Sequence, residues 1–279
     1  MLCGAAAIAA ATPAFAQDAD ADEERTIIVT GTRQADRSAA DTFAPVDIVS
    51  AAELTNQADN DISNLLRVSV PSFNVNTQPI SDAATIVRPA NLRGLSPDNT
   101  LVLVNGKRMH RAAVISFLGG GIADGSQGPD ISTIPSIAIK QLEVLRDGAS
   151  SQYGSDAIAG VMNFVLNDSA EGGSLEVRYG EYKEGDGEQV TIAGNIGLPL
   201  GDNGFLNLTA EWGESDPTSR SEQRGDAQTL IDNGYQDVPA PAMIWGRPIV
   251  NDDMKLWANF GMDLSDTLTL YGHANYNSK

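Results

Sequence analysis

Cysteine is nearly missing from this chain: Cys3 is the only one among 279 residues. A lone thiol can form no internal disulfide and no cysteine-based metal cage. Histidine is almost as scarce, with only His110 and His273 far apart in the sequence, so no metal site is expected. Basic charge is short as well: 18 Lys and Arg face 37 Asp and Glu, a net charge of −19. That balance disfavours nucleic acid and anionic membrane surfaces, whose phosphates select basic patches. No stretch approaches the roughly 18 consecutive apolar residues of a membrane-spanning helix, so any passage through a bilayer has to use strands closed into a barrel. Ser/His/Asp and Cys/His constellations are also lacking, so no catalytic residue is assigned and no enzyme or cofactor is expected.

What is present begins with an uncharged apolar leader. Residues 2–16 end in Ala14-Phe15-Ala16 before Gln17, the small-x-small pattern of a cleaved secretory signal. A signal peptide over residues 1–16 would export the chain and remove Cys3. The missing basic n-region points to a true start upstream of Met1. The acidic run 17–24 spaces Asp18, Asp20 and Asp22 like a calcium loop, but it lacks the glycine and has Val29 where the bidentate Glu belongs. A β-prone pentad follows, Thr26, Ile27, Ile28, Val29 and Thr30, stranded in polar sequence. It reads either as an ordinary first strand or as an exposed strand donor for the sheet edge of another protein.

The chain is organised around residues 137–166. An apolar run through Ile139, Leu142, Val144 and Leu145 ends at the turn signal Arg146-Asp147-Gly148. Ser150-Ser151 can cap a short helical turn that Tyr153-Gly154 breaks. Small residues from Ala157 to Gly160 let backbone pack on backbone, and residues 161–166 alternate back into a strand, a βαβ-like unit. Upstream, the apolar run 100–104 predicts a strand buried on both faces, and Asn105-Gly106 a tight turn. Gly106-Lys107 lacks the remaining residues of a phosphate loop. Ser50 with Glu53 forms the pattern of a capping box, and residues 61–67 show helical spacing. Residues 77–90 and the glycine-rich stretch 109–132 read as loops.

After Gly172 the apolar period becomes two. Leu175, Val177 and Tyr179 share one face; Leu206, Leu208, Ala210 and Trp212 repeat the pattern, as do runs beginning at Val190, Leu256 and Leu268. Five strands with one apolar and one polar face fit a barrel wall or a soluble β-sandwich equally well. The links favour the barrel: segments 183–188 and 213–254 would lie on one side, and the short 199–204 and 265–267 on the other. Tyr182, Trp212, Tyr271 and Tyr276 near strand ends are candidates for interface girdles.

The segment from Ile139 through Arg146, then Gly148, Tyr153-Gly154, Gly160 and Asn163, resembles the closing part of the plug domain of TonB-dependent outer-membrane receptors. Residues 91–108, with Arg93-Gly94 and Asn105-Gly106, resemble a second plug signature; Ser72 stands where the family usually shows Gly. The resemblance implies a mainly β chain: an α+β plug followed by the start of a large antiparallel transmembrane barrel, with about 22 strands in the family and about five here. It divides the chain into a signal peptide (1–16), a periplasmic segment with the TonB box (17–40), a plug (41–170) and an incomplete barrel (171–279). Thr26, Ile27, Ile28, Val29 and Thr30 would be the TonB box, recruiting TonB with ExbB and ExbD. Arg93, Gly94, Asn105, Gly106, Glu143, Arg146, Gly148, Tyr153, Gly154, Gly160 and Asn163 would be structural plug residues. Arg93 and Glu143 form either an ion pair or two separate solvated charges. Arg111, Phe117 and Gln127 are expected among the ligand contacts at an apex that includes the loop 77–88.

The function implied is import of a scarce nutrient across the outer membrane of a Gram-negative bacterium: a ferric siderophore, cobalamin, haem or an oligosaccharide. Outer-membrane lipid would surround the complete barrel, with the plug and N-terminus facing the periplasm. Only segment 17–24 lies between the leader and the box, so no extra signalling domain is expected. Five strands cannot close, and the chain reads as an N-terminal fragment. Rival readings are a non-transporting plug-fold binding or adhesion module, or a secreted β-sandwich enzyme.

Overall fold

The computed structural model describes residues 27–28, 37–38, 46–55, 57, 59, 61–75, 87–116, 121–242 and 246–279. Near the N-terminus β1 (Ile27–Ile28) pairs antiparallel with β2 (Arg37–Ser38). The globular unit then runs β3 (Val46–Ser50), α1 (Ala51–Thr55), α2 (Ile62–Ser69), β4 (Phe73–Val75), β5 (Ala90–Leu92), β6 (Thr100–Val104), β7 (Lys107–Arg108), β8 (Ile139–Leu145), α3 (Ser150–Tyr153) and β9 (Gly160–Leu166).

Local chemistry sets the ends of these elements. At the start of α1 the Ser50 amide donates to Glu53 Oε2 at 2.8 Å, and the Glu53 amide donates back to Ser50 Oγ at 3.3 Å, the expected reciprocal cap. Asp61 caps α2 by accepting from the Ser63 amide at 2.9 Å. Leu65 and Leu66 on the inner face of α2 are fully buried, each worth about 1.5–3 kcal/mol of burial.

The central sheet has the order β3-β8-β9-β6-β7. β6 is buried along its whole length, as its unbroken apolar run predicts. One face packs α2 against Val102, Val104, Met162 and Phe164; the other closes over Leu101, Leu103, Leu145 and Val161 with Tyr153 partly buried beside them. The unit around 139–166 holds strand, short helix and strand as read, but β8 and β9 are neighbours and antiparallel, so the connection is a local return rather than a crossover.

Gly160 shows why small residues stand there. At a φ of +147°, a Cβ on it would lie 2.3 Å from the Leu145 carbonyl oxygen. Only glycine lets the start of β9 lie so close to the end of β8.

Residues 173–279 form a second sheet, a meander of β10 (Gly173–Gly180), β11 (Gln189–Pro199), β12 (Gly204–Ser215), β13 (Val250–Ser265) and β14 (Leu268–Ser278). Every neighbouring pair is antiparallel. The register aligns Ile196 with Leu208 and Ala258, and Leu206 with Phe260. This apolar face points outward: Leu175, Val177, Ile192, Leu256 and Leu270 are all exposed.

The polar face packs on the globular unit, burying Asn207, Thr209, Glu211, Lys255 and Asn259. That arrangement is the reverse of a soluble sandwich, in which the apolar face is inside. Loops 181–188 and 216–249 leave one end of the sheet, and the short turns 200–203 and 266–267 leave the other. The long loop also contains a helix the sequence pattern missed, α4 (Gly225–Asp232).

Candidate functional site

Two features of the polar face carry functional geometry: a seam that fixes the globular unit to the sheet, and a cleft at the long-loop end. The seam starts at the Asn105-Gly106 turn, where φ values of +47° and +72° give a hairpin turn of the primed type. Asn105 Oδ1 accepts from the Leu166 amide at 2.9 Å, and its Nδ2 donates to Asn259 Oδ1 on β13 at 3.0 Å. Asn259 Nδ2 in turn donates to the Asn167 carbonyl at 2.9 Å. Two positions along the same strand, Trp257 Nε1 donates to the Thr133 carbonyl at 2.8 Å. Arg178 on β10 reaches the Asp59 carbonyl, and Asn207 on β12 reaches the Ser169 carbonyl.

Behind the turn lies a buried polar chain. Asn163 Oδ1 accepts from the Gly106 amide at 2.9 Å, and Asn163 Nδ2 donates to Glu143 Oε2 at 3.2 Å. Gln141 Nε2 donates to the other Glu143 oxygen at 2.9 Å. Glu143 is fully buried, whereas Arg93 sits exposed on a turn with a φ of +56°. Among the described residues no ion pair joins them, and Glu143 is not solvated either. Amides from its own and the adjacent strand donate to both carboxylate oxygens, hydrogen bonds of the kind a buried acceptor requires.

The other plug-signature residues serve local geometry. Arg146 pairs with Asp47 across β8 and β3. Gly94 and Gly154 hold positive φ values of +68° and +95°, and Gly148 accepts close approach of the Ile158 carbonyl. Tyr153 packs against the smaller core cluster, and Arg108 donates to its carbonyl while pairing with Asp156.

The cleft has a volume of about 700 Å³. Its floor is the α2 N-terminus with Asp59, Asp61 and Arg88; its wall is the polar face at Thr191, Glu211 and Lys255; its rim is built by loops 181–188 and 216–249. Burial opposes ionisation of Asp61, but the charge and hydrogen bond of Arg88 and the Ser63 amide outweigh it and hold the carboxyl below its ordinary range. Lys255 Nζ donates to Glu211 Oε1 at 2.6 Å and lies 3.7 Å from Asp253, which Lys279 also approaches at 3.2 Å.

The rim is knitted. Arg220 binds Asp186 across the two loops and stacks its guanidinium 5.7 Å from the Tyr182 ring centre. Thr218 bonds both ways with Arg247, and Arg247 Nη1 is 3.3 Å from Gln189 Oε1.

The sequence-derived ligand residues fall elsewhere. Arg111 lies 3.8 Å from Asp98 and 3.9 Å from Asp156, and Gln127 bonds to Asp98 and the Ala112 carbonyl. The two share a small pocket of about 60 Å³ and do not line the cleft. Phe117 lies outside the described residues, as do Thr26, Val29 and Thr30; Ile27 and Ile28 form β1. Tyr271, a girdle candidate, sits instead on the polar face with Lys107 5.1 Å from its ring centre. Among the described residues no cluster of acids and histidines could hold a metal ion.

Residues 38–161 match the family described as the TonB-dependent Receptor Plug Domain. The chain is 30% identical over 199 residues to the ferrienterobactin receptor of Escherichia coli, covering 68% of this chain and 25% of that protein. It is 27% identical over 185 residues to a ferric enterobactin receptor of Pseudomonas aeruginosa, covering 64% and 24%. The chain thus spans about a quarter of the length of these curated relatives. Among solved structures, a ferric enterobactin receptor variant from Pseudomonas aeruginosa in complex with enterobactin matches at a TM-score of 0.60 and 20% identity, covering 84% of this chain and 33% of the other. The siderophore receptor PirA from Acinetobacter baumannii matches at 0.57 and 23%, covering 82% and 31%. These likenesses show the fold, and an outward apolar sheet packed by its polar face on a plug is what that fold requires. The chain belongs to the TonB-dependent receptors, a family of receptors rather than enzymes, and comprises a plug followed by an open run of barrel strands.

Proposed function

We propose that this chain is the N-terminal part of a receptor that imports a ferric siderophore across the outer membrane of a Gram-negative bacterium, driven by TonB with ExbB and ExbD. Residues 1–16 are the leader, 17–40 the periplasmic segment, 41–170 the plug and 171–279 the first part of the barrel. The observation that carries this reading is the cleft at the long-loop end, roofless within this chain and floored by the plug itself. A ligand seated there touches Asp61 and Arg88 at the α2 N-terminus, so its binding energy acts on the plug as well as on the wall. The names of the relatives supply the substrate class.

The partner-facing element is the segment of residues 26–30, positioned ahead of the plug and able to add as a strand to a sheet edge. Force applied there reaches the plug first through β3, the edge strand of the central sheet.

The test is uptake of radioiron by iron-starved cells that express the full-length receptor as their only siderophore receptor. Uptake of ferric siderophore should be lost when residues 26–30 are deleted and when the proton gradient is collapsed, while binding at the cell surface persists. Uptake indifferent to both treatments would refute the reading.

A further inference from the structure

The rim of the cleft carries an arginine that no carboxylate matches. Arg247, in the loop 216–249, is half-buried and lines the cleft. Its Nη1 donates to the Tyr182 hydroxyl oxygen at 3.4 Å and to Gln189 Oε1 at 3.3 Å. Among the described residues no acid lies within ion-pair distance of it, and its Nε and Nη2 donate to nothing. Gln189 stands on the polar face of β11, in step with Thr191 and the buried Ala193, so this contact lies on the inner side of the wall.

The backbone beneath Arg247 is fixed. Its amide donates to Thr218 Oγ1 at 2.9 Å, and the Thr218 amide donates to its carbonyl at 3.2 Å. Thr218 is buried, and a glycine from each rim loop closes on it. A Cβ on Gly246 would lie 1.7 Å from the Thr218 carbonyl oxygen, and one on Gly187 would lie 2.6 Å from Thr218 Cγ2. The side chain starts from a backbone with no room to retreat, which lowers the ordering cost of any contact its head group makes. An arginine has donors only, so it turns the Gln189 amide oxygen and a Tyr182 lone pair toward itself. What remains for a ligand is a set of donors: the Nε–Nη2 edge of Arg247, the Gln189 amide NH2 and the Tyr182 hydroxyl proton.

An iron(III) chelate presents the complementary surface. Each bidentate group, catecholate or hydroxamate, holds two oxygens side by side on the metal, and once bound these oxygens carry no proton and only accept. Paired acceptors suit the two parallel N–H groups of a guanidinium edge. We propose that Arg247, with Gln189 and Tyr182, is the donor site that holds the iron-bound oxygens of the chelate against the barrel wall. The proposal rests on the siderophore reading above.

The experiment measures binding of radiolabelled ferric enterobactin and ferrichrome to cells whose only siderophore receptor is the full-length protein, with the proton gradient collapsed. Uptake KM and Vmax follow with the gradient restored, all normalised to receptor at the cell surface. Arg247→Gln should weaken binding of the chelate that wild type takes up by roughly tenfold or more, raising KM with Vmax kept. Arg247→Lys keeps the charge but not the paired N–H groups, and should recover little of the loss. Gln189→Glu separates ligand contact from knitting of the rim. It turns the bond to Arg247 into an ion pair, so a purely structural role predicts wild-type binding, whereas loss of the amide donor predicts binding weaker by roughly threefold or more. Wild-type binding by either Arg247→Gln or Gln189→Glu, or a fall in Vmax alone, would overturn this inference and leave the siderophore reading standing. Binding of neither chelate by the wild type would overturn both.

Discussion

Substituting Gly160 by alanine tests whether the plug depends on the close approach of β8 and β9. The new Cβ would sit 2.3 Å from the Leu145 carbonyl oxygen and 3.1 Å from Leu92 Cδ1. Relief needs a shift of about 1 Å in a backbone atom that is locked into the β8–β9 ladder beside the Leu145–Val161 pair. The φ of +147° adds strain of about 1–3 kcal/mol for any residue with a side chain, and the overpacking a further 1–3 kcal/mol or so. The sum, on the order of 2–6 kcal/mol, is a large part of the stability of an ordinary domain. The assay is urea unfolding of the chain in detergent, read from Trp257 fluorescence after Trp212 and Trp245 are replaced by phenylalanine. Trp257 bonds to Thr133 of the plug, so its emission reports loss of that seam. Gly172→Ala is the control: its φ of +81° is also unfavourable, but nothing lies within 4 Å of the new Cβ. Equal destabilisation by the two variants would refute the close-approach argument, because only φ would then matter.

Asn259→Ala should loosen the seam by about 1 kcal/mol, since it strands the Asn105 amide and the Asn167 carbonyl in a half-buried site, and faster hydrogen exchange at Leu166 and Asn167 would show it. Acid should weaken the α2 N-terminus. Asp61 has a lowered pKa when folded, so its contribution is whole above the unfolded carboxylate value of about 3.9 and drains away as pH falls through the folded one. Asp61→Asn should flatten that acid-side loss in a pH series of unfolding curves. Ser50→Ala, by removing half of the reciprocal cap, should cost α1 about 1 kcal/mol, measurable in the same unfolding assay.

How much of this could be read from the sequence depended on how local the cause was. The Asn105-Gly106 turn, the Ser50–Glu53 cap and the buried run of β6 each depend on a few consecutive residues, and each was legible. The alternation after Gly172 gave the strands and their two faces, though not which face would be covered, because a period of two is symmetric between core and solvent. The partners of Glu143 were beyond reach for a different reason. One such partner is Asn163, directly across the β8–β9 ladder, and no local pattern says that these strands are neighbours. The long glycine-rich loop marks Arg111 as a candidate ligand contact, but does not say that Asp98 and Asp156 from separate turns sit beside it. Tyr271 could have been assigned correctly: it stands one residue from Leu270, so parity alone puts it on the polar face.

Strand β13 ties the two functional features together. Its inward positions are Lys255, Trp257 and Asn259, spaced by two and so on one face. Lys255 closes the cleft wall with Glu211, Trp257 holds the 131–133 turn, and Asn259 grips both sides of the Asn105 turn. Ser132 of that turn is itself part of the cleft lining. A ligand that displaces the Lys255–Glu211 pair therefore pushes on the same strand that carries the plug. None of the seam contacts described above is an ion pair; apart from the Arg178 guanidinium, which donates to the Asp59 carbonyl, they are neutral amide or indole bonds, individually modest and geometrically specific. If the plug is drawn away, as the proposed import would require, such bonds can be exchanged for water one at a time without exposing an unpaired buried charge, the costly event that an ion-paired seam would impose. The paired charges are concentrated at the cleft, and mostly neutral contacts lie along the surface that would part under the proposed import. That division is what the proposed import, with a stationary wall and a movable plug, would need.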